Sequence, residues 1–260
     1  MLLDTRTAVV TGAGSGVGAA SALRFAEEGA NVVCADIRAD AAEATVRRIE
    51  KAGGSAAAVA CDVSREEDVV AAVAAAVERF GRVDIVFNNA GIPTPRLGAK
   101  LEDHTAEDFQ RLVGVNLAGV FHGCKHAVLQ FKRQRGGGVI LNTGSVAGLV
   151  AWGGSVYGAT KGAVHQLTRA VAIEGAPFGI RANAIGPAGM PLTGFMAAGG
   201  LDTSDSAALE KTVRQVASSH PLGRAITAED CAEAAVFLVS DRAANITGTV
   251  LPVDGGYVAR

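Results

Sequence analysis

Apolar positions along the chain fall into two alternating rhythms. Thr7–Val10 is a short β-branched run that reads as a strand. A glycine-rich stretch follows, and Ala19–Glu28 then places apolar residues at helical spacing until Gly29 stops it. Asn31–Ala35 is a second strand, ending at Asp36. The rhythm repeats with helices at Asp40–Lys51 and Arg65–Phe80 and strands at Ala56–Cys61 and Val83–Phe87. Thr105–Gln134 is helical territory interrupted near Gly114 and Gly119. Val139–Asn142 and Ile180–Ile185 are strands on either side of a helix over Ser155–Ala176. A helix at Ala228–Ser240 and a strand at Thr249–Val253 close the chain. Strands and helices alternating at these lengths predict an α/β fold: a Rossmann-like, doubly wound parallel sheet with helices on both faces. No linker or internal repeat divides residues 1–260, so a single domain is expected.

One stretch breaks the rhythm. Residues 187–221 hold several prolines and glycines and one short helix, expected at Ser206–Ser218. An insertion after a strand's C-terminal end lies where such sheets bind ligands, so it is read as a substrate lid after the sixth strand. Met190, Leu192, Phe195, Met196, Leu201 and Trp152 predict an apolar pocket of modest size.

Composition narrows the class. Hydrophobic residues make up 49% of the 260 and charged residues 19%, which gives a globular chain with a full core. A formal net charge of −2 gives no reason to expect nucleic acid or an anionic membrane as partner. There is no run of 18 consecutive apolar residues and no basic leader with an apolar core, so a cytoplasmic location is expected. Cys34, Cys61, Cys124 and Cys231 are scattered without a Cys-x-x-Cys pair and read as reduced and buried. His122 and His126 stand four apart on a helix, a zinc-compatible spacing. Cys124 projects off their face and no carboxylate is evident beside them, so no metal site is expected.

The chemistry-bearing residues sit at the junctions of this pattern. Gly12, Gly14, Gly16 and Gly18 lie between the first strand and the first helix, where glycine lets a backbone approach a pyrophosphate and the helix N-terminus offers free N–H groups. Asp36, at the end of the second strand, can accept hydrogen bonds from both hydroxyls of a ribose. Tyr157 and Lys161 share one helix face. An ammonium close to a phenol can lower its pKa by about 1–3 units, which would let the phenol exchange a proton near neutral pH. Ser145, twelve residues before Tyr157, supplies a hydroxyl for a substrate oxygen.

Taken together, Thr11–Gly18, Asn88-Asn89-Ala90-Gly91, Asn116 within Val115-Asn116-Leu117, Ser145, Tyr157, Lys161 and the segment Ile246–Tyr257 resemble the short-chain dehydrogenase/reductase family over essentially the whole chain. The resemblance implies hydride transfer between a nicotinamide and a secondary alcohol or ketone. It implies a catalytic set of Asn116, Ser145, Tyr157 and Lys161, with Asn116 holding a water that links Lys161 to solvent. It further implies cofactor contacts at Gly12, Ser15, Gly16, Val17, Gly18, Asp36, Ile37, Asp62, Val63, Asn88, Ala90, Gly91, Tyr157, Lys161, Pro187, Gly189, Met190 and Thr193, and a homotetramer. The chain departs from the family pattern twice: Ser145 lies twelve rather than thirteen residues before the tyrosine, and Pro187 is followed by Ala188-Gly189, which delays the threonine to Thr193. With Asp36 kept, Ser15 in the loop and Ile37 next, the expected cofactor is NAD, and Arg38 is read as a solvated charge. Two further readings are a 3-oxoacyl-thioester (acyl carrier) reductase and a non-catalytic dinucleotide-binding scaffold. The first lacks a visible basic patch, and the second should have lost a member of the catalytic set.

Overall fold

The structure, a computed structural model, describes residues 1–95, 98–191, 195 and 206–260. Among these, seven strands form one parallel sheet: β1 (Thr7–Thr11), β2 (Asn31–Asp36), β3 (Ser55–Ala60), β4 (Ile85–Asn88), β5 (Gly138–Thr143), β6 (Ile180–Pro187) and β7 (Val250–Val253). Their order across the sheet is 3-2-1-4-5-6-7. The winding reverses between β1 and β4, and a crevice opens there beyond the carboxyl ends of the strands.

Helices α1 (Gly16–Glu27), α2 (Ala39–Lys51), α3 (Glu66–Phe80), α4 (Ala106–Val113), α5 (Gly119–Gln134), α6 (Ser155–Gly175), α7 (Ser206–Ser219) and α8 (Ala228–Val239) cover the sheet. The core has one layer on each face. Phe25, Ile49, Val236 and Leu238 bury α1, α2 and α8 against one face, and Val69, Val120, Phe131 and Val164 bury α3, α5 and α6 against the other. The strands are nearly continuous apolar runs because both faces of the sheet are covered. All four cysteines are free and buried.

The expected elements are present, with shifts that have local causes. α1 starts at Gly16, inside the glycine-rich stretch rather than after it, so that Gly16, Val17 and Gly18 form its first turn. A Cβ at Gly18 would lie 2.1 Å from the Gly12 carbonyl oxygen, so the loop closes on itself only with glycine there. The expected break between Gly114 and Gly119 is a π-helical segment, Gly114–Ala118, that joins α4 to α5 without ending the helix. Residues 106–134 are thus helical throughout, and by length and composition this helix could cross a membrane. In the fold, its residues Val120, Cys124, Ala127 and Phe131 pack on the sheet.

A buried polar chain ties the middle of the sheet to both long helices. Asn88 Nδ2 donates to Asn142 Oδ1 at 2.9 Å, and Asn142 Nδ2 donates to Thr168 Oγ1 at 2.9 Å. Gly123 of α5 makes room for it, since a Cβ there would lie 1.7 Å from Asn88 Oδ1. Alanine is the better helix former by about 1 kcal/mol, but overpacking costs about 1–3 kcal/mol and here would also break a buried hydrogen bond. Gly123→Ala is therefore expected to lower the urea midpoint, by at least about 1 kcal/mol of stability; an unchanged or higher midpoint would contradict this packing.

Candidate active site

The crevice has a volume of about 760 Å³ and runs from the ends of β2 and β3, across the switch point, to the start of α6. At its first end, Asp36 closes β2. Its Oδ2 accepts from the Gly14 amide at 2.8 Å and its Oδ1 from the Arg38 amide at 3.0 Å, so the carboxylate is fixed by backbone on both sides. Ser15, the N-cap of α1, makes no side-chain bond to the first turn, which leaves those amides facing the crevice. Positive φ at Gly12 (64°) and Gly16 (52°) shapes the loop around them. An anionic pyrophosphate between two ribosyl groups fits this cradle: free helix N–H groups for the phosphates and a carboxylate for a ribose. Asp62 and Val63 line the same end, with the Val63 carbonyl accepting from His122 Nδ1 at 3.0 Å.

At the switch point Thr11 Oγ1 accepts from the amides of Asn89 and Ala90 at 3.0 and 3.1 Å. Asn89 Nδ2 donates to the Thr11 carbonyl, and Asn89 Oδ1 accepts from Thr143 Oγ1 at 3.1 Å. One side chain thereby joins the ends of β1, β4 and β5 and lines the crevice.

At the far end Ser145, Tyr157 and Lys161 come together, all three buried. Lys161 Nζ donates to the Thr143 carbonyl at 2.7 Å and stands 5.7 Å from the centre of the Tyr157 ring. The Ser145 hydroxyl donates to the Pro187 carbonyl at 3.3 Å and accepts from the Ala147 amide at 3.1 Å, and it is near enough to the Tyr157 phenol to favour its ionised form. Phe195 closes over Tyr157 with ring centres 5.8 Å apart, and Ile92, Trp152 and Met190 add apolar walls.

Most of the expected residues line this crevice: Gly12, Ser15, Gly16, Val17, Asp36, Ile37, Asp62, Val63, Ala90, Gly91, Ser145, Tyr157, Lys161, Pro187, Gly189 and Met190. The geometry corrects two of the expected contacts, Asn88 and Gly18. Asn88 does not border the crevice: the alternation of β4 turns its side chain into the core toward Asn142 and Cys124, and its neighbour Asn89 takes the place assigned to it. Gly18 packs against Gly12 and shapes the loop without lining the crevice. Asn116 is buried in the π-helical segment, and its amide is satisfied by the Ile92 backbone, donating at 2.9 Å and accepting at 2.8 Å. Its side chain thereby fixes the loop after β4. Arg38, read as a solvated charge, stands at the crevice rim. Thr193, Leu192, Met196 and Leu201 lie outside the described residues. Sequence reasoning also missed Asn89, Thr143, Ala188 and Arg111 as crevice residues; for Asn89 the signal was there in the alternation of β4.

The histidine pair is structural. His126 Nε2 meets Glu66 Oε1 at 2.7 Å, a carboxylate the sequence pattern did not reveal because α3 supplies it. Among the described residues no group of three or more His, Cys, Asp or Glu is placed to hold a metal.

Comparison with known proteins decides the family. A family profile described as enoyl-(acyl carrier protein) reductase matches residues 12–258. The 3beta-hydroxysteroid dehydrogenase 1 of Eggerthella lenta is 44% identical over 257 residues, 98% of this chain and 94% of that protein. Levodione reductase superposes with a TM-score of 0.89 at 36% identity, covering 99% of both chains. The 3-ketoacyl-(acyl-carrier-protein) reductase of Brucella melitensis, solved with NADH, superposes with a TM-score of 0.85 at 40% identity, covering 98% of this chain and 99% of that one. The chain belongs to the short-chain dehydrogenase/reductase family. It is an oxidoreductase that interconverts a secondary alcohol and a ketone with a nicotinamide dinucleotide. The bound cofactor supplies the hydride chemistry. As a member of this family and an enzyme, the protein is not the non-catalytic scaffold.

Burial sets the proton chemistry of this family member. It pushes the Tyr157 phenol up to about 12, against the pull of the Ser145 hydroxyl, and pushes the Lys161 amine down to about 8. Burial thus raises the phenol, opposed only by Ser145, where the sequence led to the expectation of a value lowered by Lys161. A buried amine binds its proton less well folded than unfolded, so the unfolded chain holds more protons between pH 8 and the usual lysine value, and stability rises with pH in that window. The Tyr157 shift has the opposite effect above pH 10. Without cofactor, the unfolding midpoint of the wild type should therefore rise more between pH 8 and 10 than that of Lys161→Met. Equal slopes in the two proteins would contradict an amine whose pKa burial lowers.

Proposed function

We propose that this dehydrogenase uses NAD(H) and acts on a neutral cyclic or aliphatic secondary alcohol or its ketone, with Tyr157 as general acid–base. The observation that carries the cofactor choice is the Asp36 carboxylate, anchored at the end of β2 by two backbone amides. The 2′-phosphate of NADP would bring up to two negative charges against it. At 4 Å and an effective dielectric of 20, each like-charge pair costs about 4 kcal/mol before screening. Arg38 at the rim offsets part of this, yet its own amide is among the groups that orient Asp36 toward the crevice.

The substrate class rests on the far wall. Ile92, Trp152, Met190 and Phe195 surround Tyr157 with apolar surface suited to a hydrocarbon ring or chain. In this reading the Ser145 hydroxyl holds the substrate oxygen, and the Tyr157 oxygen takes or returns its proton. Lys161 would hold the nicotinamide ribose. Likeness to a 3beta-hydroxysteroid dehydrogenase agrees with a cyclic alcohol.

A 3-oxoacyl-thioester reductase remains the second reading, favoured by likeness to the Brucella melitensis enzyme. Turnover of cyclohexanol and a 3β-hydroxysteroid with NAD at alkaline pH supports the first reading; turnover of acetoacetyl-CoA alone would favour the second. In a fluorescence titration NADH should bind at least tenfold tighter than NADPH, about 1.4 kcal/mol. Asp36→Ala should narrow the gap. Equal or reversed affinities in the wild type would refute the cofactor assignment.

A further inference from the structure

His165 is one turn beyond Lys161 on α6 and is buried, with 2% of its surface exposed. Its Nε2 faces the backbone amide of Ser145 at 3.3 Å and accepts its hydrogen. The turn that carries Ser145 is moulded around the ring. A Cβ at Gly144 would lie 2.3 Å from His165 Nε2, and one at Gly148 would lie 2.6 Å from His165 Cε1. Two glycines, immediately before and three residues after Ser145, thus let the backbone close on the imidazole. This also accounts for glycine at position 144, thirteen residues before Tyr157: the ring fills the space a side chain there would need.

Accepting at Nε2 requires the neutral ring with its proton on Nδ1. Nδ1 is buried without a hydrogen-bond partner. Burial, with the cations Arg169 and Lys161 of the same helix, pushes the ring's pKa down to about 4. The turn adds no charged group, and Ile185 of β6 meets it only through its backbone. The acceptor is therefore available throughout the working pH range.

We propose that His165 is a positioning residue that holds the Ser145 backbone so that the Ser145 hydroxyl stays beside the Tyr157 phenol. The proposal rests on the reading of Ser145 and Tyr157 as the proton-handling pair. His165 does not line the crevice. It acts through the turn, and its loss should be felt in turnover and in the titration of Tyr157 rather than in cofactor affinity. The groups that bear on Tyr157 are Ser145 from the turn, Lys161 from its own helix and the apolar Phe195, so a displaced Ser145 leaves burial less opposed and raises the phenol's pKa.

The test compares His165→Leu, His165→Gln and Ser145→Ala, with cyclohexanol as probe alcohol and NADH fluorescence as the binding readout. His165→Leu should lower kcat at least tenfold, shift the rising limb of the kcat–pH profile upward and change NADH affinity less than twofold. His165→Gln, whose amide oxygen can accept from the Ser145 amide, should recover most of the loss. Wild-type kcat and pH limb in His165→Leu would overturn the proposal, as would a glutamine variant no better than leucine. If His165→Leu is insoluble, Gly144→Ala displaces the ring from the other side and should likewise cost turnover while keeping NADH affinity; unchanged turnover overturns the proposal. Independently of activity, ring-nitrogen NMR should show the Nδ1–H tautomer from pH 5 to 9, and an Nε2–H tautomer overturns it. Ser145→Ala separates the two levels. Wild-type turnover in Ser145→Ala removes the proton-pair reading itself; loss there with none in His165→Leu removes only the role of His165.

Discussion

A lysine ammonium kept out of water beside the Thr143 carbonyl is the constraint on which the catalytic end of this protein depends. An ion in such a place is costly unless fixed partners surround it. The fold supplies them by holding the end of β5 still. Asn89 ties Thr143 to β1 and β4, and the Asn88–Asn142–Thr168 chain ties the same strands to α6, the helix that carries Lys161. Sheet topology, buried amides and the active-site amine are thus one mechanical unit.

The same unit explains the division of labour along the crevice. The end near β2 is built from backbone: the Gly14 amide on Asp36, the free first turn of α1 and the closed glycine loop. It recognises a dinucleotide by shape and dipole and needs few side chains. The far end is built from buried side chains whose pKa values are displaced in opposite directions, the phenol upward and the amine downward. Burial brings the amine toward the working pH and takes the phenol away from it, so proton exchange at Tyr157 depends on the groups around its oxygen.

Much of this was legible in the sequence. The alternation of short apolar strands with amphipathic helices gave the sheet and its winding, and Tyr157, Lys161, Ser145 and Asp36 stand where their spacing placed them. What escaped depended on direction and on contacts between distant segments. Which of Asn88 and Asn89 faces the crevice is set by the pleat of β4. The start of α1 at Gly16 is set by the close approach of Gly18 to Gly12. The occupation of the Asn116 amide by Ile92, the Glu66 partner of His126 and the arrival of Arg111 at the crevice all need the third dimension. The sign of the Tyr157 shift escaped because spacing reports proximity, whereas burial of the phenol decides the outcome.

The most direct test of the central claim removes one oxygen. Tyr157→Phe keeps the ring, its contact with Phe195 and nearly all of its volume. If the phenol exchanges the substrate proton, kcat for alcohol oxidation should fall by at least about 100-fold, the lower range for losing a general acid–base. NADH affinity should stay within twofold, because the cradle at the other end of the crevice is untouched. A Tyr157→Phe protein that turns over at nearly the wild-type rate would contradict the account.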